Sequence, residues 1–594
     1  MSILTLVNSL KSRKHGAGVL ILCTSLAVPF LPGALAAPAD VAAPKPPEPA
    51  ALYDTGTPSA DQLGGDIIAQ KAGWTKIEKA GPIKGDAVLT TAGLSVVARS
   101  KGAGIEIHGG DGKAWKLRST LVPSGEGDWK IDGVKALQGD ATSAGMEVTL
   151  AGKAGKVVLG LSVEAGKPIV KTKPVSGAEG LKMVGDSRFG ILPDFFADDM
   201  VLDARTIPVD KTEVPGENFF MELLDEGSSI VTAVWDKSKR DPVLTLGGEK
   251  PARMIKNVEL FYGEGGLIWI AVLEQKGIWA TEEITADNVK KRTTLNWDVP
   301  FKAKWKGNFM RVDHTVDSWE FMHNPGSRGG WSGVVGSYEH PCWVVDNNGA
   351  KGMIEPPTKF PNGNFAGPFL VYPIDRVKET PLDKMTITDV MRNSLGIGPC
   401  EYIMDAAGQG VANRGIYTCS VEHTVPILFE YGWQKDERVY LNTMLREVQV
   451  FVKAIQDRIN SYVDFREQTL KYLAEQKTAH ADQAEFIGKL EEQTKRIQTN
   501  KANGIDPVSK MVAQIKPEIM GDVRRIDVGG TAAGIAGVGL GQDNAVAQCR
   551  QKVKILRQMA TIEMALNPKS ADVAKEMRKR TQQILRSPFG HEMR

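Results

Sequence analysis

Six residues of types that carry chemistry lie close together in the middle of the chain. Three of its eight histidines fall within the span 313–340, beside several carboxylates. The candidates for catalysis are Asp313, His314, Glu320, His323, Glu339 and His340. General acid–base catalysis and metal ligation both draw on histidine and carboxylate together. The alternative interpretation is that these are loop residues hydrogen-bonded to backbone groups at the rim of a sheet.

The local conformation decides which of these residues can act together. In a helix, Glu320 and His323 share one face as an E-x-x-H pair. A di-iron carboxylate site needs a second such pair and two further glutamates, and the sequence offers no second copy and no HExxH motif. In a strand, His314 and Glu320 share a face and His323 lies on the other. Whether the chain is an enzyme, and whether it uses a metal or another cofactor, stay unknown at this level.

A second group of candidates is acidic. Four aspartates fall between 194 and 203, and Glu217 and Glu222 follow. We predict that Asp194 and Asp198 bind a ligand, because two carboxylates held ~5–9 Å apart are the machinery of glycoside hydrolysis. Calcium binding is a further possibility, although the ligand spacing of an EF-hand loop is absent. Solvated loop carboxylates are the alternative.

The tryptophans suggest a third kind of contact. Eight of them lie between 235 and 343. Trp235 and Trp269 sit within apolar runs and are predicted core residues. Trp319 and Trp331 are flanked by polar residues and glycine, and we predict that they form platforms for sugar faces.

The amino terminus predicts export. Lys11, Arg13 and Lys14 precede an apolar run, 19–31, and a small-x-small cleavage site, 34–36. This run is too short to span a bilayer, and no later segment approaches the ~20 apolar residues of a transmembrane helix. We therefore expect a signal peptide at 1–36, an Ala/Pro-rich linker at 37–60, and a periplasmic or extracellular protein without an integral membrane segment.

Composition and cysteines narrow the class further. With 42% hydrophobic and 24% charged residues, the 594-residue chain is globular, and without its first 36 residues its formal charge is −1. Nucleic acid is therefore not an expected partner. Four cysteines follow the signal peptide, which allows up to two disulfides in an oxidising compartment. Cys400 with Cys419 is the favoured pair, and Cys342 and Cys549 complete the set.

The pattern of the chain predicts an α+β, multidomain protein. Between 80 and 300, short alternating apolar runs separated by turn residues every 8–12 positions indicate an antiparallel β-sandwich, possibly two. A mixed region rich in Trp, His and Gly follows at 301–435. Residues 436–500 predict a long helix or helical hairpin with a break near His480, and 501–594 a helical tail with a Gly-rich linker.

The helical region carries an apolar seam typical of a coiled coil. Its members recur at spacings of three and four: Leu445, Val448, Val452, Ile455, Ile459, Tyr462, Leu470, Leu473, Ile487, Leu490 and Ile497. Packing against the sandwich and self-association into a homo-oligomer are both compatible with this seam.

The β-rich half, followed by a Trp/His-rich region, resembles the sandwich domains of exported carbohydrate-active proteins. This resemblance implies a carbohydrate-associated function, with polysaccharide as the partner, bound or cleaved by the sandwich. In the case of cleavage, Glu320 or Asp313 would be the acid/base and His314 and His323 would assist. Because one fold hosts many functions, a non-catalytic envelope scaffold that self-associates through 436–500 is the alternative.

Overall fold

The structure is a computed structural model of the chain. It describes residues 49–110, 114–140, 142–192, 200–216, 219–235, 238, 240–263, 266–285, 295–297, 303–311, 316–323, 331–334, 343–346, 352–355, 365–375, 437–501 and 549–586.

Twenty-eight strands and five helices make up these described residues. The strands are β1 (Ala51–Asp54), β2 (Thr75–Ile77), β3 (Gly81–Pro82), β4 (Ala87–Thr91), β5 (Leu94–Ala98), β6 (Ile105–Gly110), β7 (Trp115–Pro123), β8 (Lys130–Ala136), β9 (Ser143–Gly152), β10 (Gly155–Glu164), β11 (Ile169–Ser176), β12 (Gly180–Ser187), β13 (Phe189–Leu192), β14 (Met200–Asp203), β15 (Lys211–Glu213), β16 (Phe219–Leu224), β17 (Ser229–Trp235), β18 (Val243–Gly247), β19 (Met254–Phe261), β20 (Ile268–Glu274), β21 (Ala280–Ile284), β22 (Leu295–Trp297), β23 (Ala303–Arg311), β24 (Val316–His323), β25 (Trp331–Val334), β26 (Trp343–Asp346), β27 (Gly352–Glu355) and β28 (Phe365–Asp375). The helices are α1 (Gly65–Gln70), α2 (Glu437–Ala479), α3 (Ala484–Lys495), α4 (549–566) and α5 (Ala571–Arg586).

Two ten-stranded antiparallel sheets form the body of the molecule. The first has the order β15-β18-β19-β12-β7-β6-β5-β4-β1-β2, and the second has the order β14-β13-β16-β17-β20-β11-β10-β9-β8-β3. Apolar side chains from both sheets belong to one buried core. The two sheets therefore pack face to face as a single large sandwich, which confirms the predicted antiparallel β-rich half and favours one sandwich over two.

Alternating side chains explain why these segments fold as sandwich strands. Along β10, Val157, Leu159, Leu161 and Val163 are buried in the core shared by the sheets, while most of the residues between them are less buried. A strand points successive side chains to opposite faces, so one apolar row suffices to attach it. Tight hairpins join neighbouring strands, as at Gly93, whose φ of +65° closes the turn between β4 and β5.

A third, five-stranded sheet lies against the second one. Its order is β21-β28-β23-β24-β25, and β22, β27 and β26 form a separate three-stranded sheet. Leu370 and Tyr372 of β28 share a buried cluster with Phe219, Met221 and Trp269 of the second sheet. The second sheet is thus covered on both faces in this region, which explains the nearly continuous apolar runs of β16 and β20.

The helices, apart from the short α1, lie in the carboxy-terminal region. Helix α2 ends at Ala479, and the chain resumes as α3 after His480 and a 3-10 turn at Ala481–Gln483. The seam residues Ile459, Tyr462, Leu473, Ile487, Leu490 and Ile497 are fully or almost fully buried within this one chain, and Leu470 is partly buried. No coiled coil with a second chain is needed to cover them. No helix among the described residues is long and apolar enough to cross a membrane.

The terminal helices also hold the sandwich. Arg557 of α4 forms an ion pair with Asp241, and Arg578 of α5 forms one with Glu213 at the end of β15. Gln551 of α4 accepts a hydrogen bond from the backbone N–H of Val316 at 3.1 Å, which ties the helix to the third sheet. Helices and sheets are therefore connected by polar as well as apolar contacts.

Candidate functional site

Most of the residues predicted from sequence to form a site lie outside the described residues. These are Asp194 and Asp198 of the acidic group, and Asp313, His314, Glu339 and His340 of the central group. The favoured disulfide partners Cys400 and Cys419 also lie outside them, as does Cys342. Cys549, at the start of α4, is a buried free thiol whose pKa is raised by burial.

The other predicted residues lie on two neighbouring strands of the third sheet. Glu320, His323 and Trp319 belong to β24, and Trp331 belongs to β25. In the register of these strands, Trp331 is opposite Met322, and Glu320 is opposite Lys306 of β23. Because 316–323 is a strand, the helical arrangement of Glu320 and His323 on one face does not occur. Their proposed chemical roles stay predictions.

A cavity of about 750 Å³ opens where β12 leaves the first sheet and β13 enters the second. Three segments surround it: 186–189, 223–227 and 276–281, with Met254 of β19 nearby. Asp186, Glu226 and Lys276 at its rim are exposed, whereas Phe189 and Trp279 are buried in its wall. A volume of this size matches the clefts that hold small ligands.

The aromatic wall of the cavity is fixed in place. The rings of Phe189 and Trp279 meet edge to face, with centroids 6.1 Å apart. The indole N–H of Trp279 donates to the carbonyl oxygen of Leu224 at 2.8 Å, so the ring has no freedom to turn. Arg188 covers the other face of this pair, its guanidinium 4.2 Å from the Phe189 centroid. The wall therefore combines rigid apolar surface with a cation.

Arg188 also joins the cavity to a buried carboxylate. It donates to Asp203 at 2.8 Å, and Arg205 donates to the same oxygen at 2.9 Å. Both guanidinium groups also pair with Glu283. Burial raises the pKa of Asp203 to about 6, although the charge and hydrogen bond of Arg188 act in the opposite direction. Two cations and two carboxylates thus lock one side of the cavity.

The turn between β16 and β17 supplies the opposite side. Asp225 and Glu226 have left-handed backbones, with φ of +54° and +49°, and Gly227 follows at +102°. Left-handed geometry costs a non-glycine residue roughly 1 kcal/mol or more. Hydrogen bonds led by those from Ser228 and Lys116 hold the carboxylate of Asp225 and lower its pKa to about 2. The turn is therefore strained but well anchored.

A polar bridge behind this turn connects the two large sheets. Arg118 of β7 makes a bidentate pair with Glu274 of β20, at 2.5 and 2.7 Å, and also donates to Asp225 at 3.0 Å. Ser229 donates to the same Glu274 at 2.7 Å. Paired hydrogen bonds of this kind fix orientation as well as distance. The bridge sets the separation of the sheets at the cavity.

Charges of both signs are balanced around the cavity. Among the described residues that line it or form an ion pair with a lining residue, the acidic side chains are Asp186, Asp203, Asp225, Glu226 and Glu283, and the basic ones are Lys116, Arg118, Arg188, Lys256 and Lys276. A set with equal numbers of opposite charges carries no net charge. It can, however, make strong hydrogen bonds to uncharged polar groups.

Ser187, which lines the cavity, is bonded to a buried carboxyl behind it. Ser187 donates to Glu222 at 2.9 Å, and both residues are buried. Burial raises the pKa of Glu222 to about 7, while the hydrogen bond from Ser187 acts to lower it. Perturbed carboxyls beside a cleft are typical of functional sites. Asp203 and Glu222 both belong to the acidic group noted in the sequence.

A second polar cluster lies on the outer face of the first sheet. Glu106 accepts from Arg99 at 2.6 Å, and its other oxygen lies 3.3 Å from Nε2 of His108. Ser95 is opposite His108 in the strand register, and neither Ser95 Oγ nor His108 Nδ1 has a hydrogen-bond partner among the described residues. Burial acts to raise the pKa of Glu106, but the bonds from His108 and Arg99 outweigh it and lower the pKa.

This second cluster has no access for a ligand. The segment that contains α1 packs on the same face of the sheet, with Leu63 and Ile68 against Val88, Val97 and Trp115. Ser95, Glu106 and His108 on this face are buried. Among the described residues, no group of three His, Cys, Asp or Glu side chains is arranged to hold a metal. The cavity is the stronger candidate for a site.

The residues of the cavity carry no local sequence motif. Ser187 and Trp279 are about ninety positions apart, and the fold alone brings them together. One signal was available: Asp225-Glu226-Gly227 interrupts two apolar strands, as a hairpin turn does. The pattern indicates a turn but not its left-handed geometry, nor what lies beside it.

Comparisons with known proteins give distant neighbours. No protein-family model matches the chain, and no curated protein matches it. Among solved structures, it is similar to the GH36 alpha-galactosidases AgaA and AgaB from Geobacillus stearothermophilus, with identities of 8% and 9% and TM-scores of 0.20 and 0.21. Each match covers 32% of this chain and 40% of that chain.

A further similar structure is a glycoside hydrolase family 81 protein from Clostridium thermocellum. Its TM-score is 0.18 at 11% identity, over 56% of this chain and 40% of that chain. The matches thus span two fifths of the length of these neighbours, and TM-scores at this level do not show a shared fold.

Proposed function

We propose that this chain is an exported protein that binds a neutral, hydroxyl-rich saccharide in the cavity formed by 186–189, 223–227 and 276–281. The observation that carries the proposal is the combination, in one cavity, of a fixed aromatic wall and a balanced set of charged hydrogen-bonding groups. Sugars offer a rim of hydroxyls, and the charged side chains around the cavity are the counterpart of that rim, while Phe189 and Trp279 give the cavity a rigid wall.

Charge balance favours a neutral ligand over a charged one. Asp186 is paired with Lys256 at 2.7 Å, Asp225 with Lys116 and Arg118, and Arg188 with two carboxylates. A carboxylate or ammonium on the ligand would have to compete with these existing pairs. A hydroxyl group adds to them, because it can both donate to a carboxylate and accept from a guanidinium or ammonium.

Glu226 is the residue of the rim that is best placed to discriminate. Among the described residues, no side chain forms an ion pair with its carboxylate, and it is exposed at the cavity. The strained turn holds it there. We expect the carboxylate to accept hydrogen bonds from vicinal hydroxyls, which are worth more than bonds to a neutral acceptor.

The scaffold alternative has less support than saccharide binding. It requires an apolar seam that a second copy can reach. Ile459, Leu473, Ile487 and Leu490 are buried within the chain, and Arg458 beside them donates to the carbonyl of Ile584 in α5. A second copy would have to displace the terminal helices to reach these positions.

The test is calorimetric titration of the full chain with neutral and charged sugars. Glucose, galactose, maltose, cellobiose and lactose form the neutral set, and galacturonate and glucosamine form the charged set. We expect saturable binding of at least one neutral sugar and weaker binding of its charged relative. Glu226→Ala should weaken that binding about tenfold, the effect of one charge-assisted hydrogen bond.

The matched control is Glu126→Ala. Glu126 is an exposed glutamate in the loop after β7, away from the cavity, so its removal should leave affinity unchanged. Binding of none of the sugars, or equal losses in the two variants, would remove the cavity from consideration as the saccharide site.

Export is tested separately. The amino-terminal pattern of 11–36 supports cleavage after Ala36. Amino-terminal sequencing of protein recovered from the producing cells and their medium should find a chain that begins at Ala37. A soluble product that retains Met1 would refute export.

A further inference from the structure

Ser187 stands between the cavity and the buried Glu222. It lines the cavity, and its hydroxyl donates to a carboxyl oxygen of Glu222 at 2.9 Å. It is the last residue of β12, at the point where the chain crosses from the first sheet to the second. Ser187 therefore lines the cavity as a residue, while its hydroxyl is bonded to a buried carboxyl.

Among the described residues, Ser187 is the side chain that forms a hydrogen bond with Glu222. The neighbours of Glu222 in the strand register are Gly190 of β13 and Val231 of β17. Phe220 and Ile255 fill the space above Gly190. Burial is the main cause of the raised pKa of Glu222, and among the described residues the opposing contribution is the hydrogen bond from Ser187. Protonation of Glu222 is thus coupled directly to the Ser187 hydroxyl.

A serine hydroxyl bonded to a carboxyl has two possible orientations. An ionised carboxylate only accepts, so the Ser187 hydrogen points inward and its oxygen lone pairs are left for the cavity. A protonated carboxyl can donate to Ser187 Oγ, which releases the Ser187 hydrogen to turn toward the cavity. The proton on Glu222 therefore decides which role Ser187 plays toward a ligand.

We propose that Ser187 and Glu222 form a proton-dependent hydrogen-bonding subsite at the floor of the cavity. It presents a donor to the ligand when Glu222 is protonated and an acceptor when Glu222 is ionised. The identity of the ligand rests on the proposed function, but the exchange of donor and acceptor does not. A sugar hydroxyl, which serves either role, can bind in both states, whereas an ether or ring oxygen can bind only the donor state.

The neutral pH range is where the two states exchange. The pKa of Glu222 lies at about 7. The charged residues on either side of Ser187 in the chain are Asp186, which is paired with Lys256, and Arg188, which is paired with Asp203 and Glu283. Titration of Asp203, whose pKa is about 6, precedes that of Glu222, so the experiment must separate the two groups.

Infrared difference spectroscopy of the ligand-free full chain makes this separation. Between about pH 5 and about pH 9, the carbonyl band of a protonated buried carboxyl should disappear with a midpoint near neutrality. Glu222→Gln should lack this band, and Asp203→Asn should keep it. Ser187→Ala should shift its frequency, since the hydrogen bond is lost, while Ser187→Thr should restore it.

The proposal fails if no such band is lost in Glu222→Gln, or if Ser187→Ala leaves its frequency unchanged. Circular dichroism of each variant checks that it is folded. If Ser187→Ala does not fold, the conservative Ser187→Thr still tests the hydrogen bond.

A binding measurement tests whether the subsite acts on a ligand in the cavity. Methyl ethers of the tightest neutral sugar should bind about five- to tenfold better at pH 5.5 than at pH 8.5, the effect of about one hydrogen bond. Ser187→Ala should abolish this ratio. If no sugar binds, saccharide binding is refuted while the infrared result still decides the subsite. If sugars bind with the same ratio in Ser187→Ala, the subsite is refuted and saccharide binding stands.

Discussion

Two polar clusters on the same sandwich differ in what surrounds them. The cavity cluster of Arg188, Asp203 and Glu222 borders an open cleft at the point where the chain passes between the sheets. The cluster of Ser95, Glu106 and His108 contains types of residue that are at least as reactive, yet the segment with α1 seals it. Access and fixed geometry, rather than residue type, separate a candidate site from a structural polar group.

The largest effect is expected from the ion pairs that lock the cavity. Arg188→Leu leaves the buried Asp203 with Arg205 as the remaining partner and removes the cation over Phe189. Loss of one partner of a buried pair costs about 3–4 kcal/mol. Urea denaturation should show this loss in the free energy of unfolding.

The control for Arg188→Leu is Arg496→Leu. Arg496 pairs at 2.7 Å with Glu492 on the surface of α3, where exposed pairs contribute less than about 0.5 kcal/mol. Equal losses in the two variants would mean that the cavity is not held by its ion pairs, and the comparison between the two clusters would lose its basis.

The covered cluster should become accessible when α1 is loosened. Ile68 is the buried residue of α1, at 0% exposure. Truncation to alanine at such a position lowers the free energy of unfolding by about 2–3 kcal/mol. Because α1 packs on the face of the sheet that carries the buried His108, Ile68→Ala should increase the rate at which diethyl pyrocarbonate modifies this histidine, measured by peptide mass spectrometry.

The neighbouring isoleucine provides the control. Ile67 is 46% exposed, so Ile67→Ala should leave the modification rate of His108 close to that of the unaltered chain. Fast modification of His108 in the unaltered chain would mean that the second cluster is open, which would remove the distinction between the two regions.

A third prediction concerns the lone carboxyl of the cavity cluster. The folded-state pKa of Glu222 is about 7, above its ordinary value of 4.5, so the folded state binds this proton more tightly than the unfolded state. The stability that the proton provides is therefore present below about pH 4.5 and lost as pH rises through about 7. Glu222→Gln should raise the free energy of unfolding at pH 8 by about 2 kcal/mol and have little effect at pH 4.5.

Glu164→Gln is the matched control for this pH dependence. Glu164 is an exposed partner of Lys167, and its replacement should shift stability by a few tenths of a kcal/mol at most. Parallel stability profiles for the unaltered chain and Glu222→Gln would show that Glu222 has an ordinary pKa.

The same comparison explains what the sequence could and could not predict. Alternating apolar residues, such as those of β10, predicted the sandwich because each strand needs only one buried face. The seam of 436–500 indicated helices in the same way, because its apolar residues recur at the helical spacing of three and four and so form one buried face. The cavity could not be predicted, since Ser187, Asp225 and Trp279 come from three separate connections between strands and meet only through the arrangement of the sheets.

Chemically versatile residue types can also suggest a site in the wrong part of a sequence. The sequence favoured the histidine-rich span 313–340, because histidine and carboxylate are chemically versatile. The polar residues of the cavity are mostly arginine, aspartate and glutamate, which sequence composition does not distinguish from surface residues. Asp203 and Glu222 were noted only as members of an acidic run, and their burial, which perturbs their pKa values, depends on the fold.

The smallest effect is expected at Glu226 in the turn beside the cavity, where a strained backbone lowers stability and the carboxylate is proposed to bind sugar. Glu226 has a φ of +49°, a conformation that glycine adopts without steric cost, so Glu226→Gly should stabilise the chain by about 1 kcal/mol. The same change removes the carboxylate from the cavity and should weaken sugar binding. Glu126→Gly, at an exposed position without a left-handed backbone, should give no gain in stability and no loss of binding. A gain in stability with unchanged affinity would show that the strained Glu226 is not needed for binding, because glycine would then replace it without loss of function.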